Sequence, residues 1–230
     1  MNLDPGTWDV SPKEAVLLQK ELAARVKMQP LPSRFKVLGA ADIAYSKVTD
    51  TLIAVILTFG WPGLEPLESA HHIAKVSFPY VPGLLSFREV PPLLATFQKL
   101  GQKPDILLCD GQGMAHPRRF GFAVHLGLCL GIPTVGCAKS RLCGEHERLT
   151  LRKGFSKPLL LDGKQVGLVF CSRTGVKPIY ISPGYLSDME SSKRLVSQCV
   201  GRYRIPEPLR LAHILATRLR REMLTGKADR

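Results

Sequence analysis

Two aspartates stand in segments where a carboxylate would rarely lie without a partner. Asp42 is surrounded by the apolar stretch from Gly39 to Tyr45, and Asp110 ends the apolar run that begins at Ile106 and is followed at once by glycine. A buried lone carboxylate is costly, and two close carboxylates repel each other unless a cation lies between them. Hard oxygen ligands of this kind select Mg²⁺ or Mn²⁺. The pair predicts a divalent cation site, although Asp110 alone could be a turn residue or a helix cap.

Three further side chains suit hydrolytic chemistry, and each also has an ordinary structural explanation. Glu89 follows Ser86 by three residues, so a helix capping box would account for it, although it could serve both purposes. His213 lies near Leu209 on the face of the last helix that is expected to turn inward, where a lone histidine is more often a core residue. Lys139 follows a buried strand, where open sheets place their ligands, but it could be an ordinary solvated lysine.

The segment from Phe78 to Leu85 contains two prolines, which stiffen a projecting turn that carries Tyr80 and Val81. Rigid apolar side chains on a basic surface can enter between stacked bases. The turn is therefore a candidate wedge, and the alternative is that Tyr80 packs on the core. A rim of basic residues around the following loops is expected to track phosphates. Its members are Arg118, Arg119, Lys139, Arg141, Arg148, Arg152 and Lys153.

The charge of the chain predicts the class of its partner. The 230 residues include 32 Lys and Arg against 19 Asp and Glu, which gives a net charge of +13. Such a field concentrates polyanions, so nucleic acid is the leading partner class, and a protein that rests on anionic lipid is the alternative. The six cysteines form no C-x-x-C pair for zinc or redox chemistry, which favours a reduced, cytoplasmic protein.

No membrane segment is expected. The first ten residues lack a basic region followed by an apolar one, so no secretory signal is predicted. Residues 120–138 contain no Asp, Glu, Lys or Arg. However, several glycines and Pro133 divide this stretch into a helix, a turn and a strand, and His125 would be unfavourable in lipid.

The apolar pattern predicts strands and helices in a definite order. Strands are expected over 37–45, 51–60, 67–78, 105–110, 133–138, 157–162, 165–172 and 178–182. Helices are expected over 11–28, over 86–100, from beyond Arg119 to about Gly131, from about Ser187, and over 208–223. Capping boxes at Ser11 and Ser86 mark the starts of the first two helices.

This order predicts an α/β fold with a ribonuclease H-like mixed central sheet flanked by helices. Three meandering strands are followed by helix, strand, helix and strand, and crossover helices make the later strands parallel. Asp42 and Asp110 then lie on neighbouring strands. The length is that of one large domain, so a single domain over 1–230 is expected.

Long strings of residues resemble the endonuclease V family, the deoxyinosine 3′ endonucleases, and the resemblance covers nearly the whole chain. The strings are Pro79-Tyr80-Val81-Pro82-Gly83-Leu84-Leu85-Ser86-Phe87-Arg88-Glu89, Asp110-Gly111-Gln112-Gly113 with His116-Pro117-Arg118-Arg119-Phe120-Gly121, and Pro133-Thr134-Val135-Gly136-Cys137-Ala138-Lys139-Ser140. Many members have His at the position of Gln112 and Ile at that of Val81. Both departures are mild, because glutamine still hydrogen-bonds and valine remains apolar.

The resemblance implies a magnesium-dependent DNA repair endonuclease acting on damaged DNA. Such an enzyme hydrolyses the second phosphodiester bond 3′ to deoxyinosine and leaves 3′-hydroxyl and 5′-phosphate ends. Asp42 and Asp110 would hold the metal, with Mn²⁺ as a substitute for Mg²⁺, while Glu89 and His213 complete the acidic site and Lys139 lies close by. A monomer is expected.

The resemblance also assigns the surfaces that recognise the lesion. The residues of the implied DNA wedge are Pro79, Tyr80, Val81 and Pro82. The residues of the implied hypoxanthine pocket are Gly83, Leu85, Gly111, Gly121, Phe122 and Leu142. In this pocket, backbone groups would recognise the edge of the displaced base.

Two other functions are compatible with parts of the pattern. A nucleic-acid-binding module without catalytic activity would leave the carboxylates structural, and Asp42 and Asp110 would then have no reason to converge. A nucleotide-binding protein could use the glycines at 111 and 113. The third glycine and later acidic residue of a dinucleotide fingerprint are not at their spacing, which makes this alternative weak.

Overall fold

The computed structural model describes residues 6–225. The strands in this part of the chain are β1 (Val37–Ser46), β2 (Thr51–Gly60), β3 (Pro66–Lys75), β4 (Ile106–Cys109), β5 (Thr134–Ala138), β6 (Ser156–Leu161), β7 (Lys164–Phe170) and β8 (Ile179–Pro183). The helices are α1 (Pro12–Ala23), α2 (Leu85–Gln98), α3 (Phe122–Leu130), α4 (Met189–Cys199) and α5 (Glu207–Leu224).

The strands form one mixed sheet in the order β3-β2-β1-β4-β5-β8-β7-β6. Strands β1, β2 and β3 make the expected antiparallel meander, and β4 and β5 continue the sheet parallel to β1. Strands β8, β7 and β6 complete it by antiparallel pairing. The predicted ribonuclease H-like mixed sheet with flanking helices is confirmed, because α2 and α3 pack on one face and α4 and α5 on the other.

Side-chain alternation along β1 determines which helix each of its residues meets. Ala40 and Ala44 pack in the cluster that contains Ala212 of α5, whereas Ala41 packs in the cluster that contains Val90 of α2. Asp42 has the same parity as Ala40 and Ala44, so its side chain projects toward α5.

Two element ends differ from the sequence prediction by three residues or more. Helix α1 ends at Ala23 rather than near Met28, and beyond it the Lys27 carbonyl accepts a hydrogen bond from the Leu186 N–H. Strand β3 ends at Lys75 rather than at residue 78, because Lys75 pairs with Thr51, the first residue of β2. No partner strand extends beyond that pair.

The start of α1 follows the capping prediction. The Glu14 N–H donates to the Ser11 hydroxyl, and the Ser11 N–H donates to the Glu14 carboxylate at 2.8 Å. This reciprocal pair satisfies two of the free N–H groups of the first turn, and proline at the first helical position lacks an N–H that would need a partner.

The predicted capping box at Ser86 is wrong. Helix α2 begins one residue earlier, at Leu85, and its N-cap residue Leu84 makes no side-chain capping hydrogen bond. The Ser86 hydroxyl instead lies 3.0 Å from Nδ1 of His125 on α3. Glu89 therefore does not cap the helix, and a capping role does not account for this residue.

The apolar stretch over 120–138 divides as expected into α3, a turn and β5. Gly131 ends α3 in the left-handed region, with φ 70°, which favours glycine. Within residues 6–225, every helix is too short or too polar to span a bilayer.

Candidate active site

The sheet brings Asp42 and Asp110 side by side. The paired residues of β1 and β4 end with Ala41 opposite Cys109, and the Asp110 N–H donates to the Ala41 carbonyl at 3.0 Å. Strand β4 stops at Cys109 while β1 continues, so Asp110 leaves the sheet beside Asp42. The convergence expected of a cation site is therefore present.

His213 reaches this pair from α5, although its side chain does not lie on the inward face that its spacing from Leu209 predicted. The buried residues of the helix are Pro208, Leu209, Ala212 and Ala216, whereas the His213 side chain is 54% exposed. Its Nδ1 lies 2.8 Å from Oδ2 of Asp42. The predicted inward orientation is wrong: the ring lies at the margin of the packed face, where it reaches both solvent and the carboxylate.

Asp42, Asp110 and His213 form a group whose ligand atoms lie within 4.8 Å of one another. The two carboxylates offer the oxygen ligands that Mg²⁺ or Mn²⁺ prefers, and the His213 ring contacts one of them. Among the described residues no other group of His, Cys, Asp or Glu side chains meets this spacing, and Glu89 is not part of it. The set fits a divalent cation.

The electrostatics of the site indicate an excess of negative charge. The pKa of Asp42 is raised to about 6, first by burial and then by the Asp110 carboxylate, against opposing effects of Lys139 and His213. The pKa of Glu89 is raised to about 7, first by burial and then by the Asp42 carboxylate, against an opposing effect of Arg88. A bound cation would lower both pKa values, because it favours the charged carboxylates.

Lys139 supplies a positive charge next to Asp110. It follows β5, which runs parallel to β4, so both residues lie at the carboxyl ends of neighbouring strands. Its Nζ lies 2.5 Å from Oδ2 of Asp110. Lys139 is therefore paired with Asp110 rather than being an ordinary solvated lysine.

A cavity of about 400 Å³ opens beside the carboxylates. All six residues of the predicted base pocket line it, and Glu89, Asp110 and Lys139 contribute to its wall. The other lining residues from the predicted wedge are Tyr80 and Pro82. The cavity is large enough for a purine base, and it adjoins Asp110 of the acidic group.

One wall of the cavity depends on the Gly83 carbonyl, which three side chains approach. Gln19 donates to it at 3.0 Å, Arg118 at 2.8 Å, and Nε2 of His116 lies 2.9 Å away. Gly83 has φ 80°, a conformation that glycine adopts without steric cost. Local sequence patterns do not predict this cluster, because Gln19 lies on α1, 64 residues from Gly83.

Two hydrogen bonds determine which ring nitrogen of His116 carries the proton. The Arg118 N–H donates to its Nδ1 at 3.1 Å, so the proton of the neutral ring must lie on Nε2, which donates to the Gly83 carbonyl. Burial lowers the pKa of His116 to about 4, with a smaller effect of the Arg118 charge in the same direction. The histidine is thus neutral at physiological pH.

Tyr80 projects from the surface and is 70% exposed. The buried residues Phe78 and Leu84 anchor the two ends of the turn that carries it. Val81 is partly buried against the same apolar cluster, while Pro79 and Pro82 are exposed. The alternative in which Tyr80 packs on the core is wrong.

Comparisons with known proteins agree on one family. Residues 20–214 match the family model described as Endonuclease V. The chain is 42% identical to the Endonuclease V of Myxococcus xanthus over 215 residues, which cover 93% of this chain and 92% of that protein. This chain belongs to the endonuclease V family. Membership makes it a nuclease that acts on DNA.

Solved structures of family members share the fold. The crystal structure of the Streptomyces avermitilis endonuclease V superposes with a TM-score of 0.90 at 36% identity, covering 96% of this chain and 97% of that one. A Ciona intestinalis endonuclease V, solved with a 23mer DNA containing an inosine followed by a ribo-adenosine, gives a TM-score of 0.81 at 24% identity and covers 93% and 100% of the two chains. The latter similarity shows the fold alone.

Gln112, one of the two expected departures from the family pattern, links two parts of this site. Gln112 is buried, and its Nε2 donates to the Ser140 carbonyl at 2.8 Å, which connects the Gly-rich turn to the loop after β5. The other departure, Val81, remains apolar and partly buried.

Not every residue of the predicted phosphate rim is fully exposed. Arg118 is partly buried, and its guanidinium donates to the Gln19 side chain and to the Gly83 carbonyl. The exposed members are Lys139, Arg141, Arg148, Arg152 and Lys153.

Proposed function

We propose that this nuclease is a magnesium-dependent repair endonuclease that recognises deoxyinosine and hydrolyses the second phosphodiester bond on its 3′ side, leaving 3′-hydroxyl and 5′-phosphate ends. The observation that carries the proposal is that Asp110, which forms the acidic group with Asp42 and His213, also lines a base-sized cavity. The family membership and the inosine-containing DNA bound by the Ciona intestinalis protein support the same substrate.

In this proposal, Asp42 and Asp110 would hold the ion, and His213 would orient Asp42 through its Nδ1 contact. When bound, a magnesium ion polarises the phosphate and stabilises the leaving 3′ oxygen. The Glu89 carboxylate, next to this group, would position the attacking water and accept its proton. Lys139 would place its Nζ near the negative charge that develops on the phosphate.

The cavity would receive the displaced base. Extraction of a stacked base costs a few kcal/mol, and the cost is smallest for a base that pairs poorly, as inosine does. Tyr80 would occupy the gap in the stack and offset part of that cost. The hydrogen bonds to the Gly83 carbonyl would keep the backbone of the pocket wall fixed while it recognises the edge of the base.

We further propose that the chain acts as a single domain over 1–230, as a monomer, in the cytoplasm, with Mn²⁺ able to replace Mg²⁺. The free state of the six cysteines agrees with a reducing compartment. No second function is proposed. A binding module without catalytic activity would not require Asp42 and Asp110 to converge, and in the structure they do.

The decisive experiment is a nicking assay on a labelled duplex with a single deoxyinosine. We expect cleavage at the second 3′ phosphodiester with Mg²⁺ or Mn²⁺, none in EDTA, and none by Asp42→Ala or Asp110→Ala. Both variants should still bind the duplex, since the metal serves chemistry more than docking. Near-normal nicking by either variant would contradict the metal site, and a ribose version of the duplex tests whether RNA is also cut.

A further inference from the structure

An exposed aromatic ring lies on a fixed support just before α5. Tyr203 is 43% exposed, and the Arg210 guanidinium lies 4.5 Å from its ring centroid. Both Nε and Nη2 of Arg210 bond the two carboxylate oxygens of Glu207, and the Nε bond measures 2.8 Å. A second guanidinium, that of Arg202, lies 5.9 Å from the ring. We call Arg202, Tyr203, Glu207 and Arg210 the Tyr203 platform.

The platform is connected to the acidic site at two points. Arg210 lies three residues before His213, so the two side chains are neighbours on one face of α5, and His213 contacts Asp42. Arg204, the residue after Tyr203, donates to the Lys139 carbonyl at 2.5 Å. None of the four platform residues lines the base cavity. The platform therefore adjoins the acidic site along α5, outside the cavity.

The chemistry of the platform suits a single strand of nucleic acid. The face of an aromatic ring can stack on any base, and arginines nearby neutralise phosphates. Arg202 and Arg210 stand against the one carboxylate of Glu207, whereas Arg204 donates to the backbone carbonyls of Lys139 and Pro178. Because the Glu207 ion pair already holds Arg210, little side-chain freedom would be lost when the platform is occupied.

We propose that the Tyr203 platform stacks a nucleotide of the cleaved strand on the 3′ side of the scissile bond. This inference rests on the proposed function, in which the lesion occupies the cavity and the cut falls on its 3′ side. Glu89 and Asp110 line the cavity, whereas His213 reaches the acidic group from α5. In this proposal the strand leaves the cavity, passes the acidic group and continues along α5 past His213. Tyr203 is the exposed aromatic ring on that course.

The test compares two fluorescein-labelled deoxyinosine duplexes by anisotropy in the absence of divalent metal. In the long duplex the strands extend a full helical turn beyond the lesion on its 3′ side, and in the short one they end one nucleotide after it. Tyr203→Ala should weaken binding of the long duplex roughly tenfold, which is a low value for the loss of one stacked base. Tyr203→Phe, which keeps the ring, should bind it like the wild type.

The short duplex should bind equally to the wild type and both variants, because it lacks the nucleotide that would occupy the platform. Equal weakening of both duplexes by Tyr203→Ala would overturn the proposal and assign the ring a structural role, and so would unchanged binding of the long duplex. Nicking of the long duplex by the wild type with Mg²⁺ is measured separately. Its failure would overturn the proposed function, whereas the platform is judged on binding alone.

Discussion

At the scale of single residues, Asp42 and Glu89 show how the site is prepared for a cation. Their raised pKa values come first from burial and then from neighbouring carboxylates. Carboxyl groups that are costly to ionise in the protein alone become favourable ligands or proton acceptors once a divalent charge is present. Lys139 offsets only part of the negative charge, through its contact with Asp110.

Tyr80 provides the clearest prediction for a single residue, because a packing role and a recognition role for its ring predict opposite results on truncation. Tyr80→Ala should leave the melting temperature almost unchanged, since the ring is 70% exposed. A buried ring would instead cost about 3–5 kcal/mol on truncation. The loss of the wedge should weaken discrimination between inosine-containing and undamaged duplexes.

Thermal melts and cleavage rates on the two duplexes, measured on the same preparations, check this prediction. Tyr80→Phe is the matched control, because it removes only the hydroxyl, and it should behave like the wild type in both measurements. A large drop in melting temperature together with unchanged discrimination would disprove the wedge.

At the scale of elements, the site depends on how helices on both faces of the sheet reach its edge. Helix α5 brings His213 to Asp42 from one face, and α2 brings Glu89 from the other. Helix α1 contributes indirectly, because Gln19 binds the Gly83 carbonyl next to the cavity. Three helices thus support one short stretch of sheet edge and the turn beside it.

The neutral His116 ring beside the Gly83 carbonyl predicts a pH dependence of stability. His116 has a folded pKa of about 4 against an ordinary value of 6.5, so the unfolded chain binds a proton first as the pH falls. The stabilising contribution is complete above pH 6.5 and is lost progressively toward pH 4. Its full size is about 3 kcal/mol, from about 1.4 kcal/mol per pKa unit.

Urea unfolding at a series of pH values should therefore show a free energy of unfolding that falls between pH 6.5 and 4. His116→Gln is the control, because its amide can donate to the Gly83 carbonyl but does not titrate. The variant should lose this part of the pH dependence. Identical pH slopes for the two proteins would mean that His116 does not hold its neutral state in the fold.

At the scale of the whole molecule, the net charge of +13 should govern affinity for DNA. Each phosphate neutralised by Lys or Arg releases counterions, so log K should fall with log salt by about 0.9 per contact. Arg152→Gln, in the exposed rim, should reduce this slope by about one. Lys99→Gln is the matched control, because Lys99 follows α2 at the end opposite Glu89 and bonds the His71 carbonyl.

Binding isotherms at several salt concentrations measure these slopes. The Lys99 variant should keep the wild-type slope, because its charge lies about 15 Å along the helix from the site, at 1.5 Å per residue. A flat response of the wild type between low and moderate salt would show that the positive charge does not face the DNA.

The sequence by itself determined the order of strands and helices, the mixed sheet and the two aspartates of the acidic group. These features follow from local patterns: the apolar period defines each element, and a carboxylate inside an apolar strand is costly without a partner. The cap of α1 was also predictable, because both of its partners lie within one turn.

Only the tertiary structure decided how distant residues meet. His213 reaches Asp42 across 171 residues of chain, Gln19 reaches the Gly83 carbonyl across 64, and Ser86 bonds His125 of another helix instead of capping its own. The apolar face of a helix indicates that it packs on the sheet, but not which register or depth it adopts. The register and depth of the helix determine which partners are reached by polar side chains at the margin of that face, such as His213.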